Sequence, residues 1–497
     1  MHDVTTGAQQ DRRPLVLAFL MTTMTLGSIE GTIVATAMPS IVATLGGFEL
    51  YAWVFGSYLL TQAVATPIVG RLADVFGRKP LLLASIAVFM VASIACGFAD
   101  SMPLLIAFRF VQGIGAGGIF TTVVTLTGDL YSVRERGRVQ AYMASVWGVS
   151  AIIGPLLGGL IVANFDWAWV FWFSAPFGVA AYFGIARFLV EKVDTRVRRP
   201  MDWPGAGLLL LTMSGLMLVL NQGGELGRYL PYVSGVTLVA AVVLTRRLIA
   251  SDDSILPLGL WRDRLILLAN LSALTAGILM ISLITYVPPY VQGVMGYAPL
   301  VAGFTLSAMS LGWPIAATAA GRLLIPLGPA RTAQLGGLAG LIGGVMFLFA
   351  STTLGPIWMA AASFFVGVGL GFINTASIVS IQAVVSWDRR ATATAGNMLM
   401  RLLGNSLGAA LLGGVLNLSL VRSIRLAGPD SGLELKAIER LLSPEGGAVD
   451  IAASVADLPL LKTTLAGGLH DVFIGTCIAG AVLFVLTMLW PAGRRLE

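Results

Sequence analysis

Three ionisable side chains stand well inside long apolar stretches of this 497-residue chain: Glu30, Arg109 and Arg401. A charge at bilayer depth costs at least about 2.5–3.5 kcal/mol on permissive scales, so each needs a partner, a wet cavity or a role. Counted along their helices, Glu30 falls about 12 Å and Arg109 about 9 Å from the outer ends, at similar depth. They are therefore expected to come within reach of one another. Two readings of the pair stand side by side. In one, Glu30 carries a proton, with desolvation and the charge of Arg109 acting on it in opposite directions. In the other, the two form a permanent structural ion pair, with Arg109 a support instead of a coupling residue. Asn397, Arg401 and Asn405 are spaced four apart, on one helix face with about 40° of drift per step. Such a stripe faces a cavity or another helix, not lipid. Cavity lining and interhelical hydrogen bonding both fit it.

A second set of side chains could hold flat cationic or amphiphilic molecules by apolar and cation–π contact. It comprises Trp53, Tyr58, Gln62, Gln112, Trp147, Tyr286 and Trp313. Each taken singly fits an interface anchor or helix packing as well. His470-Asp471 opens the last apolar run; a cap at the helix start accounts for it better than a proton relay.

The elements that must position these residues follow from composition. The chain is 57% apolar and only 11% charged, with 59 glycines, against about 25% charged residues in soluble proteins. Its mean hydropathy is +0.86. This excludes a soluble enzyme, a disordered chain, a coiled coil and a secreted disulfide scaffold. A polytopic, all-helical membrane protein remains. Cys96 and Cys477 lie in apolar runs and read as small hydrophobes without a disulfide role. The first apolar run is longer than a signal-peptide core, has no small-residue cleavage pattern after it, and is expected to be retained.

Taking about 20 apolar residues per span, fourteen spans are expected. They lie near 15–38, 50–70, 81–99, 103–127, 139–164, 169–190, 204–221, 231–249, 265–288, 298–320, 331–350, 356–380, 392–416 and 470–490. An even number puts both termini on one side. Of the 31 basic residues, 23 then fall on that side, which the positive-inside rule makes cytoplasmic. The net charge of +6 therefore speaks to orientation, not to an anionic partner. The segment 418–465, with Leu433, Ile438, Leu441 and Leu442 at helical spacing, is expected to be an outer loop of short amphipathic helices on the membrane surface.

The stretch Gly70-Arg71-Leu72-Ala73-Asp74-Val75-Phe76-Gly77-Arg78-Lys79 closes the second span. A degenerate copy, Gly321-Arg322-Leu323 with Gly328 matching Gly77, closes the tenth, and Ile325 stands where the first copy has Asp74. Two related bundles are thus expected: residues 1–190, and residues 262–497 with the 418–465 loop. Residues 191–261 form a linker holding two inserted spans.

Gly70–Lys79 resembles the signature loop of the major facilitator superfamily. Leu105–Gly115, carrying Arg109, is similar to its second motif, and Gly148 with Gly154-Pro155-Leu156-Leu157-Gly158-Gly159 to the motif of its antiporters. With fourteen spans and Ile29-Glu30-Gly31-Thr32-Ile33-Val34, the chain resembles the fourteen-helix drug:proton antiporter branch. It departs from that pattern at Glu30, where the family usually has aspartate. It also departs at Trp167-Ala168-Trp169 and at Ser174, where the family tends to Trp-Arg-Trp and asparagine. The resemblance implies two six-helix bundles that alternate access, and export of hydrophobic or amphiphilic compounds against a proton gradient. It implies a gate formed by Asp74, Arg78, Asp129, Gly154 and Pro155. Asp74 would sit at the start of the thirteenth span near Thr392, and Arg78 would pair with Asp129.

The alternative on the same fold is an exporter or flippase of an endogenous lipid-like molecule. A membrane enzyme lacks support: there is no Walker loop, no metal-spaced His/Cys set and no acidic pair within a span. The glycines at 113, 115, 117 and 118 lie inside an apolar run with no strand before them, which excludes a dinucleotide loop. No cofactor, metal or nucleic acid is expected. The expected partners are a small substrate and the bilayer, with the chain working as a monomer. An accessory protein at 418–465 is not favoured.

Overall fold

A computed structural model describes residues 13–46, 51–191, 202–250, 258–297, 299–427 and 458–491. In a hydrocarbon core every backbone N–H and C=O must be satisfied within its own segment, and these residues are almost entirely helical with no strand. The helices are α1 (Arg13–Leu45), α2 (Tyr51–Phe76), α3 (Arg78–Gly97), α4 (Met102–Leu130), α5 (Val133–Asn164), α6 (Trp169–Trp172) and α7 (Ser174–Phe188). They continue with α8 (Trp203–Leu226), α9 (Leu230–Ala250), α10 (Arg264–Pro289), α11 (Pro299–Leu348), α12 (Gly355–Val384), α13 (Arg390–Ala427) and α14 (Leu458–Met488).

Among the described residues, 11 helical stretches are long and apolar enough to cross a membrane. The difference from fourteen has identifiable sources. The stretch Val301–Leu348 counts once, although Gly328 interrupts it with a non-helical backbone. Helix α5, with its charged opening Val133-Arg134-Glu135-Arg136, is not among them, and α8 contributes only the shorter apolar piece Trp203–Leu216. The ends of the segment read as a 418–465 loop are helical instead. Helix α13 runs on to Ala427, up to the breaker pair Gly428-Pro429, and α14 starts at Leu458. Leu433, Ile438, Leu441 and Leu442 lie outside the described residues.

Two compact units are present, one of Met1–Leu267 with Ser377–Leu399 and Arg495–Glu497, the other of Leu268–Ala376 with Met400–Arg494. In the first, α4 packs against α2 and α3, and α1 against α5 and α7. The glycine density of α4 makes this possible. A Cβ on Gly113 would overlap Thr61 and the Tyr58 carbonyl of α2, and one on Gly115 would meet the Phe89 backbone of α3 at 2.6 Å. Backbones this close bring the polar side chains of neighbouring helices within bonding range. The apolar core around them includes Leu20, Leu82, Phe89, Ile119, Phe120 and Val123. Helices α8 and α9 pack on one another, joined by Asp202, which caps Gly205 N (2.9 Å) and pairs with Arg247 Nε (2.7 Å). In the second unit α11 packs against α14. Helix α10 ends at Pro288-Pro289, where two amide donors are missing, and continues as the π turn Tyr290–Val294.

The repeat seen in the sequence is a repeat of backbone. Gly77 takes φ 95°, ψ 159°, and Gly328 takes φ 79°, ψ 169°. Side chains are essentially barred from this region, at a cost of about 1–3 kcal/mol. Gly77→Ala and Gly328→Ala are each expected to destabilise the protein by that amount, read as a lower melting temperature of the purified protein. Unchanged melting would show that the two turns are not fixed as described.

Candidate functional site

The first unit holds a buried polar cluster built from six of its helices. Glu30 of α1 and Arg109 of α4, 79 residues apart, form an ion pair with Oε1 to Nη1 at 3.1 Å, and both are fully buried. Arg109 Nη1 also donates to Gln112 Oε1 (2.7 Å), and its Nε donates to the Val54 carbonyl of α2 (3.2 Å). Gln112 sits one turn on along α4 and passes the chain to Ser93 Oγ of α3 (3.0 Å). Ser93 donates to the Phe171 carbonyl (3.1 Å) and lies 3.2 Å from Ser174 of α7. The ring of Tyr58 lies under the guanidinium, 4.3 Å from its carbon, and its hydroxyl donates to the Gly27 carbonyl (3.3 Å). Low local dielectric makes such a chain strong where it is bonded and costly where it is not.

A second cluster occupies the end of α2 and the start of α3. Asp74 accepts from Thr392 N (2.8 Å), Thr392 Oγ1 (2.6 Å) and Ala391 N (3.2 Å), and so caps the first turn of α13 with a carboxylate. The positive end of the helix dipole favours an anion there. Arg78 bridges the carboxylates, with Nη2 at 3.0 Å from Asp74 Oδ1 and Nε at 3.1 Å from Asp129 Oδ2. Asp129 also pairs with Arg390 (2.6 Å). Sequence reasoning did not find Trp387, whose ring carries the Arg78 guanidinium at 3.7 Å and whose carbonyl accepts from it at 2.7 Å. It also missed Glu191, which caps α3 by accepting from Arg78 N and Lys79 N (2.7 Å each). Lys79 Nζ returns the contact, donating to the Ala186 and Leu189 carbonyls (2.8 and 2.6 Å) where α7 ends. The signal available was the charged stretch Trp387-Asp388-Arg389-Arg390 just before α13.

The remaining candidates are dispersed. Gly154 lets α5 approach α1 where a Cβ would overlap Thr32, whose hydroxyl donates to the Ser150 carbonyl (3.2 Å). The side chain of Pro155 lies outside the described residues. Gln62 is nearly buried, and Trp147, 40% exposed, stacks on Phe120 at 5.1 Å. Asn397 is buried in the part of α13 grouped with the first unit, whereas Arg401 and Asn405 belong to the second. There Arg401 donates to Asn374 Oδ1 (2.7 Å) and lies 5.9 Å from the Trp313 ring. Tyr286 is buried and donates to the Ala409 carbonyl (3.3 Å). Among the described residues no group of three His, Cys, Asp or Glu side chains is placed to hold a metal ion.

Residues 10–409 match the sequence pattern of the Major Facilitator Superfamily. The chain belongs to this superfamily of membrane transporters. It is 29% identical to the Multidrug transporter protein MdtP of Bacillus subtilis, over 97% of this chain and 93% of that one. It is 30% identical to Multidrug resistance protein 3 of the same organism, over 83% and 81%. Its fold matches the human organic anion transporter MFSD10 (TETRAN) with TM-score 0.64 and 16% identity, over 95% and 99% of the two chains. A multi-pass membrane transporter is thus the frame in which both clusters must act.

The capping geometry sets an expectation for Asp74. Asp74→Ala removes a charge-assisted cap worth about 1–2 kcal/mol. Hydrogen–deuterium exchange at residues 390–395 should then run about tenfold faster, since about 1.4 kcal/mol of opening free energy is one decade. Unchanged protection there would show that Asp74 does not hold α13.

Proposed function

We propose that this transporter is a secondary exporter of hydrophobic or amphiphilic compounds, driven by proton antiport and working by alternating access. The relatives named as multidrug transporters support the cargo class. The observation that carries the coupling is the Glu30–Arg109 pair at 3.1 Å, both partners fully buried and tied into Gln112 and Ser93. Of the acids in the described helices, Glu30 is fully buried within a span, whereas Asp74 and Asp129 stand near helix ends and Asp471, in the middle of α14, is exposed. A proton arriving on Glu30 cancels its charge and releases Arg109 from its counterion. The guanidinium must then find other acceptors, which gives protonation a structural consequence. Intramembrane carboxylates of this kind are the usual proton relays of transporters. In this reading Asp74, Arg78 and Asp129 form a latch that opens and closes with the transport cycle, at the cytoplasmic end of a cell-membrane protein with both termini inside.

The test is proton release and uphill export in proteoliposomes, screened over a panel of cationic, neutral and anionic amphiphiles. Glu30→Gln copies the protonated form in shape and charge. It should fold normally, lose at least tenfold of uphill export together with substrate-evoked proton release, and retain downhill exchange. Glu30→Asp should keep partial activity. A Glu30→Gln protein that concentrates substrate with the pH dependence of the parent would remove Glu30 from the mechanism.

A further inference from the structure

Two fully buried arginines in the first unit meet carboxylates: Arg109 meets Glu30, and Arg78 meets Asp74 and Asp129. The second unit treats Arg401, the arginine in the middle of α13, differently. Among the described residues of that unit, Asp471 is the only acid. It is exposed and accepts from Ser419 Oγ (2.6 Å), 18 positions along α13 from Arg401, or about 27 Å at the helical rise. Arg401 is thus a cation in a membrane helix with no carboxylate near it among the described residues of its unit. Its side chain touches the neutral Asn374 amide of α12 through Nη1 (2.7 Å) and faces Trp313 of α11 at 5.9 Å.

The neighbourhood adds a further donor. The indole N–H of Trp313 is buried and meets no acceptor in the described structure. A guanidinium with one of its five donors committed, beside an unsatisfied indole N–H, presents donors without acceptors. Arg401 is also only partly covered. An oxyanion satisfies this arrangement, because a planar fork accepts a carboxylate or phosphate through two parallel bonds. A cationic or purely apolar molecule would leave the charge unmatched.

We infer that Arg401, with Trp313 and Asn374, forms a subsite in the second unit for the anionic group of a substrate whose remaining body is apolar. This deepens the export reading, on which it rests for the identity of the ligand as cargo. It narrows the cargo from amphiphiles in general to those carrying a single oxyanion.

The experiment measures equilibrium binding to the purified full-length protein in detergent, with no gradient. The probes are deoxycholate, dodecanoate and naphthalene-2-acetate, each compared with its own methyl ester. The parent protein should bind at least one acid tenfold or more tightly than its ester. Arg401→Gln should remove that preference while leaving ester affinity within about twofold, and Arg401→Lys, which keeps charge but not the fork, should retain part of it. Should Arg401→Gln fail to fold, Trp313→Phe keeps an aromatic face and removes the N–H, and should weaken the acid more than its ester, by about threefold. Equal binding of acid and ester in all three pairs would overturn the inference. So would an acid preference that survives Arg401→Gln, or an equal loss of acid and ester. Failure of proton-coupled export in liposomes with the acid preference intact would instead overturn the coupling reading and leave the subsite standing.

Discussion

Taking an ion out of water is costly, and inside this chain the cost is met by placing opposite charges on different helices at contact distance. The Glu30–Arg109 pair is the main case. Neither partner is tolerable alone at that depth, so α1 and α4 are bound to one another for as long as both are ionised. Arg109 further draws on Val54, Gln112 and the face of Tyr58, and through Gln112 on Ser93. The cluster thereby fixes the register of four helices with few polar atoms. Its stability is conditional, because one proton on Glu30 removes half of the charge match.

Such a cluster needs backbones closer than large side chains permit. The glycines of α4 supply this, with Gly113 against α2 and Gly115 against α3. Their density in the sequence could be mistaken for a phosphate-binding loop. Its physical role is contact between helices, as expected where lipid offers no hydrophobic drive for association and close packing must supply the attraction. Helix termini use a different solution. Asp74 caps α13 and Glu191 caps α3 with carboxylates, while Lys79 meets the closing carbonyls of α7. Each charge lies at the end of the dipole that favours it.

Helical content, the buried Glu30 and Arg109, and the two-copy loop were legible in the sequence because each leaves a signature in one dimension: apolar run length, a lone charge inside a run, a repeated glycine. The placement of Asp74 near Thr392 and of Arg78 near Asp129 came from resemblance to a family pattern, and the geometry now gives distances for both. Trp387 and Glu191 were not legible. Their partners lie more than a hundred residues away, and neither residue is unusual at a helix end. The boundaries of α13 and α14 were misplaced for a local reason. Leu418 to Ala427 is polar enough to end a hydropathy window yet contains no breaker before Gly428-Pro429.

The two copies of the signature loop keep the same turn and divide the charge unequally. Gly77 and Gly328 bend the chain alike, but Asp74 has Ile325 as its counterpart. The first unit carries Glu30, Asp74, Asp129 and Glu191, whereas Asp471 is the only acid among the described residues of the second. Among the described residues the buried carboxylates therefore lie on one side of the repeat only, since Asp471 is exposed. The other side keeps Arg401, a cation that does not titrate in the working range. A repeat that had conserved its charges would place the same chemistry twice. This one places a buried acid–arginine pair in one unit and, in the other, an arginine bonded to a neutral amide.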